Sequence, residues 1–174
     1  MRVKRQLVVL RHAKADWPAG VADHDRPLGR RGVRDSAAAG RWLVEHGDTP
    51  ELVWCSPALR TRQTWEHLAA ELGAELGTSC QVKFEDLVYD ADVAALLGVL
   101  RQTPKKTGRV LLVGHNPGVQ DLVLALADRA SGDARALAET KFPTSGLAVL
   151  DVDADWGDLG HGHANLAVFV VPRG

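Results

Sequence analysis

Two stretches of this 174-residue chain are apolar on both alternating faces and end abruptly in a histidine. Leu7-Val8-Val9-Leu10 runs into Arg11-His12, and Val110-Leu111-Leu112-Val113 runs into Gly114-His115. A strand that is apolar on both faces has to be covered on both, which is characteristic of a mostly parallel sheet between helices. The pattern therefore predicts an α/β fold. Ligands of open α/β sheets bind in the crevice beyond the carboxyl ends of the strands, so Arg11, His12 and His115 fall where chemistry is expected. Nothing about a strand end requires charge.

The intervening segments read as the covering layers. Gly32 to His46 carries Val33, Ala37, Trp42 and Leu43 at helical spacing, and Gly47 is its expected C-terminal stop. Glu51 to Cys55 reads as a second strand, with Ser56 as N-cap and Pro57 as first residue of a helix that runs to about Leu72. That helix holds Arg60 in its first turn, where the macrodipole disfavours a cation unless an anion lies between them. Gln81 to Phe84 is a short strand, Glu85 to Asp90 a loop at the same sheet edge, and Asp92 the cap of a helix bearing Leu96, Leu97 and Leu100. A helix follows Pro117 from about Val119 to Ala127, and strands are expected at Leu147 to Leu150 and Leu166 to Val171.

Ala13 to Leu28 is a long loop that holds Trp17, a length common in lids and binding loops. Met1 to Gln6 reads as a solvated lead, His161-Gly162-His163 as part of a polar hairpin loop, and residues 128 to 140 carry no clear pattern. Without repeats or a linker, residues 1–174 are expected to form a single domain.

Charge narrows the partners. With 21 basic and 22 acidic side chains the chain has a formal net charge of -1, so no nucleic-acid or polybasic membrane footprint is expected and an anion site has to be local. Cys55 and Cys80 lack the spacing of a disulfide framework or structural zinc site, and no apolar run reaches membrane-spanning length. These features predict a cytoplasmic protein.

Arg11, His12, Arg60 and His115, with Arg26 in reserve, suit phosphoryl chemistry. Two guanidinium groups can fork around phosphate oxygens, and their charge keeps a neighbouring imidazole neutral and nucleophilic. A second, protonated histidine would stabilise the oxygens in transit. No metal or organic cofactor is needed. A cysteine-based phosphate loop is out of register, because position 61, six after Cys55, is Thr.

At this point several motifs resemble a known family. Leu10-Arg11-His12-Ala13-Lys14-Ala15-Asp16-Trp17, Arg26-Pro27-Leu28, Ser56-Pro57-Ala58-Leu59-Arg60-Thr61-Arg62-Gln63-Thr64, Val113-Gly114-His115-Asn116-Pro117-Gly118 and Lys141-Phe142-Pro143-Thr144 are together similar to the histidine phosphatase superfamily, in its short SixA-like phosphohistidine phosphatase branch. The resemblance implies a three-layer α/β/α sandwich with a mostly parallel central sheet, of the phosphoglycerate mutase-like kind. It implies His12 as nucleophile, Arg11, Arg60 and His115 as the rest of the phosphate pocket, and Arg26 and Asn116 as further substrate contacts.

The resemblance also implies a partner: a phosphorylated protein such as a histidine phosphotransfer domain, or else a small phosphorylated molecule. A non-catalytic phosphate-binding module is the alternative from another class. Mutase-like members carry a glutamate acid after the third strand, where this chain has Leu87-Val88-Tyr89. Asp90, Glu85 and Asp16 are the carboxylates that could replace it. A substrate whose leaving group is imidazole would not need an acid, because imidazole can depart already protonated on its other nitrogen.

Overall fold

A computed structural model describes residues 4–74 and 79–174. Its centre is the first predicted strand, β1 (Arg5–Arg11), in which Leu7, Val8, Val9 and Leu10 are at most 1% exposed. On one side β1 pairs in parallel with β4 (Arg109–Gly114), with Leu10 opposite Val113 and Arg11 opposite Gly114. That register brings the two histidine-bearing strand ends side by side. On the other side β1 pairs antiparallel with β6 (Leu147–Val152).

Adding β2 (Leu52–Cys55), β3 (Gln81–Phe84), β5 (Ala127–Ala130) and β7 (Ala164–Val170) gives a seven-stranded sheet in the order β3-β2-β4-β1-β6-β7-β5. Only β6 runs against the others, so the sheet is mostly parallel as expected.

Side-chain alternation divides the core into two layers. Val8 and Leu10 pack with Val53, Leu111 and Val113 under Ala39 and Leu43 of α1 (Arg30–His46) and Trp65 and Leu68 of α2 (Leu59–Glu71). Leu7 and Val9 pack on the opposite face with Leu96 and Leu100 of α3 (Val93–Leu100) and Val119, Leu122 and Leu126 of α4 (Gly118–Leu126). The result is the α/β/α sandwich. Gly47 ends α1 at φ 71°, the left-handed conformation that suits glycine. Among the described residues no helix is long and apolar enough to cross a membrane.

Four segments differ from the sequence reading. Met1, Arg2 and Val3 of the expected lead lie outside the described residues, but Arg5 already belongs to β1. Its guanidinium is buried, 2.8 Å from Asp155 and 3.2 Å from the Lys105 carbonyl. The second helix begins at Leu59 rather than Pro57, because Ser56-Pro57-Ala58 forms a turn whose Ser56 and Ala58 carbonyls accept the Thr61 hydroxyl at 2.8 and 2.7 Å.

Residues 127–140 form edge strand β5 and helix α5 (Ala134–Thr140). They had no readable boundary because β5 follows α4 without a turn residue. The long loop closes at its base through an Ala15–Leu28 bridge and contains a short 3-10 turn, Asp23–Asp25.

Gly32 is where α1 meets that loop. A Cβ at this position would lie 2.2 Å from the Lys14 carbonyl oxygen, two residues beyond His12. Gly32→Ala is therefore expected to destabilise the fold by about 1 to 3 kcal/mol through overpacking, read as a lower midpoint in urea denaturation. An unchanged midpoint would mean that the helix and the loop do not pack this closely.

Candidate active site

The carboxyl ends of β1 and β4 and the first turn of α2 supply the predicted residues. His12 and His115 stand with ring centroids 5.2 Å apart, and Arg11, His12, Arg60 and His115 line one cavity of about 270 Å³ together with Lys14, Trp17 and other residues. Backbone bonds hold the strand ends rigidly. His12 N–H donates to the Gly114 carbonyl at 3.0 Å, and the His12 carbonyl accepts from Ser145 N–H at 3.1 Å.

The histidine atoms have separate settings. His12 Nδ1 lies 2.8 Å from the Ala13 carbonyl, which can only accept, so Nδ1 carries the proton and Nε2 keeps its lone pair. Burial, outweighing that bond, lowers the His12 pKa to about 3, with His115, Arg60 and Arg11 adding to the effect. His115 Nε2 lies 2.7 Å from Ser56 Oγ, while its buried Nδ1 has no partner among the described residues.

Ser56 Oγ already accepts Ala58 N–H at 3.3 Å, so its own hydrogen is available to His115 Nε2. Where Ser56 donates to Nε2, the His115 proton sits on Nδ1. Burial, followed by Arg60, lowers the His115 pKa to about 4. Burial and Arg60 thus favour the neutral form of His115, in which Nδ1–H can donate.

The arginines retain unused donors. Arg11 donates from one terminal nitrogen to the Phe142 carbonyl at 2.9 Å, and Arg60 is 5% exposed, yet the Nε of each is buried without a partner among the described residues. Asn116 donates to the same Phe142 carbonyl at 3.0 Å and also lines the cavity. Arg26 reaches the cavity edge, donating to the Asp16 carbonyl at 3.0 Å and stacking on Trp17 at 3.2 Å from the ring centroid. Trp17 is 75% exposed, so it walls the site instead of covering core.

The carboxylate candidates separate. Glu85 turns back to accept Leu87 N–H at 3.2 Å, and Asp16 is an exposed residue whose side chain packs by Gly29. Neither lines the cavity, because local backbone and helix contacts hold them elsewhere. Asp90 does line an adjoining lobe. The carboxylate placed centrally is Asp23, which sequence reasoning passed over. It binds Arg60 at 3.0 Å, Arg26 at 3.1 Å and the Tyr89 hydroxyl at 2.7 Å. Those bonds, Tyr89's first, hold Asp23 well below the usual carboxylate range.

Cys55 is no competing nucleophile. It is buried in the sheet, and burial pushes its thiol up to about 12.

Comparison with known proteins shows the family and the fold. Residues 7–83 match the model of the histidine phosphatase superfamily (branch 1). The chain is 38% identical over 167 residues to an uncharacterized protein of Mycobacterium tuberculosis strain H37Rv, covering 94% of this chain and 100% of that one. It is 30% identical over 149 residues to the phosphohistidine phosphatase SixA of Escherichia coli K12, covering 85% and 86%. A solved structure from Nakamurella multipartitia, named provisionally as a phosphohistidine phosphatase SixA, superposes with a TM-score of 0.84 at 34% identity, covering 97% of this chain and 96% of that one.

Proposed function

The chain belongs to the histidine phosphatase superfamily and is a phosphatase, and from that premise we propose that it removes phosphate from protein phosphohistidine through a covalent intermediate on His12. One observation carries the mechanism: His12 is held as the Nδ1-protonated tautomer in a cavity with unpaired arginine donors, which leaves Nε2 as a nucleophile. Arg11 and Arg60 hold the phosphoryl oxygens, and Nδ1–H of His115 donates to the oxygen charge that moves in transit. Arg26 and Asn116 extend the contact surface, and residues 1–174 act as one domain.

Attack forms the Nε2–P bond, and the pair of the broken P–N bond returns to the leaving nitrogen. Because Nδ1 of His12 keeps its proton, the intermediate is a phosphorylated imidazolium. Water then forms an O–P bond, the electron pair returns to Nε2, and phosphate leaves with both water protons. Neither half needs a carboxylic acid, which accounts for phosphohistidine rather than a sugar ester as substrate.

Turnover of a phosphorylated histidine phosphotransfer domain, measured beside a panel of nucleotides and sugar phosphates, tests the proposal. Preference for the phosphorylated domain is expected. Preference for a small ester would overturn the substrate assignment.

Acidity gives a second test. His12 has to be neutral to attack, and lowering the pH through its pKa removes the lone pair. The enzyme's own acid limb in kcat/KM, after the substrate's ionisation is accounted for, is expected near pH 4 or below instead of 6.5. An enzyme limb centred near 6.5 would mean that the pocket does not shield the histidines.

A further inference from the structure

The cavity that holds His12 shares part of its lining with a second one of more acidic character. The first is lined by Arg11, Lys14, Arg26 and Arg60. The second, about 290 Å³, shares Arg60, His115 and Asn116 with it but adds Asp23, Tyr89 and Asp90. A phosphoryl group suits the cationic lobe, whereas a group with N–H bonds or positive charge suits the acidic one.

Asp23 has one acceptor position to spare. Its Oδ2 accepts Arg60 at 3.0 Å and Tyr89 at 2.7 Å, which fills both lone pairs. Among the described residues its Oδ1 accepts only Arg26, at 3.1 Å, and the side chain is 48% exposed. Arg60, buried and with an unpaired Nε, borders both lobes and couples them. Since Asp23 is held ionised, it can accept a hydrogen bond but has no proton to give.

We propose that Asp23 is a specificity-determining acceptor for the leaving group, binding the distal ring N–H of a phosphorylated imidazole and so favouring N–P over O–P substrates. The proposal rests on the reading of His12 as nucleophile. The substrate ring enters as a cation, phosphorylated on one nitrogen and protonated on the other. His12 Nε2 bonds to phosphorus, the P–N pair goes to the leaving nitrogen, and neutral imidazole departs with the proton it brought. Asp23 stabilises the ring cation that undergoes this cleavage. The place of a general acid is thus taken by an acceptor.

Asp23 also competes with substrate, because its carboxylate occupies an Arg60 nitrogen that a phosphoryl oxygen can use. Asp23→Asn is therefore expected to have opposite effects on two probes. For phosphoimidazole, kcat/KM falls about tenfold or more with loss of a charge-assisted bond. For 4-nitrophenyl phosphate, whose nitrophenolate leaves without a proton, KM falls severalfold.

The alkaline limb of kcat on phosphoimidazole moves to lower pH, because the bound ring loses the anion that favours its charged form. The charged and titratable groups around Asp23 are Arg60 from α2, Arg26 and His24 from its own loop, Tyr89 and Asp90 from the rim after β3, and His115 from β4. Tyr89→Phe keeps the carboxylate and frees an Oδ2 lone pair, so the same limb is expected to hold or move upward.

An unchanged ratio between the two probes, or equal losses on both, would reduce Asp23 to a strut for Arg60 and overturn the proposal. So would a downward shift of the limb in Tyr89→Phe. A wild-type protein that cleaves the nitrophenyl ester and leaves phosphoimidazole intact would instead overturn the functional reading, and this inference with it.

Discussion

His12→Ala is expected to lower turnover by on the order of ten-thousand-fold or more and to abolish covalent labelling. The size follows from what His12 supplies, since no other group in the cavity presents a comparable lone pair. His115 has its Nε2 engaged by Ser56, and Cys55 lies in the core with its thiol pushed up to about 12. A brief incubation with radiolabelled phosphoramidate, followed by quenching, is expected to leave acid-labile label on the wild-type protein and none on His12→Ala. Label that survives the substitution would locate the nucleophile elsewhere. His12 is 8% exposed, so a circular dichroism spectrum should accompany the comparison to show that the fold persists.

Arg60→Ala is the second large effect. The guanidinium binds the Asp23 side chain and its carbonyl, and it borders both lobes of the site. Its removal takes away charge-assisted bonds to the phosphoryl oxygens, each worth about 1.5 to 3 kcal/mol, so two correspond to a loss on the order of a hundredfold or more in kcat/KM. The loss should extend to every phosphorylated substrate, unlike that in Asp23→Asn, which is selective for the leaving group. Arg60→Lys is expected to recover only part of the rate, because an ammonium cannot reproduce the planar fork. Full activity in Arg60→Lys would show that a point charge suffices.

The strand ends were legible because their signal is local. Burial on both faces demands the apolar runs at Leu7–Leu10 and Val110–Val113, and a histidine following such a run is conspicuous. Arg60 was legible for a similar reason: a cation in the first turn of a helix is out of place unless an anion is expected. The role of Ser56 was not legible. As a helix cap the residue looked locally sufficient, and only the contact with His115, 59 positions further along, reveals its bearing on the tautomer.

Asp23 was illegible because nothing in its neighbourhood separates it from Asp16 or Asp25. Its partners Arg60 and Tyr89 lie 37 and 66 positions away, and they meet it only after the loop closes at Ala15–Leu28. Residues 128–140 escaped for a different reason. The edge strand β5 is paired on one side alone, by the final strand β7, and half of it is exposed. Neither continuous burial nor a turn residue announces it.

The sequence by itself marked the central strand, an α/β fold and the strand ends that carry Arg11, His12 and His115, because hydrophobic periodicity acts over a few residues, and the family resemblance added the sandwich and the role of Arg60. Tertiary structure alone decided the protonation of the pocket and the placement of Asp23 within it. Burial depth, tautomer and charge pairing depend on groups brought together from distant parts of the chain, and their energies exist only once water has been excluded and the loop has closed.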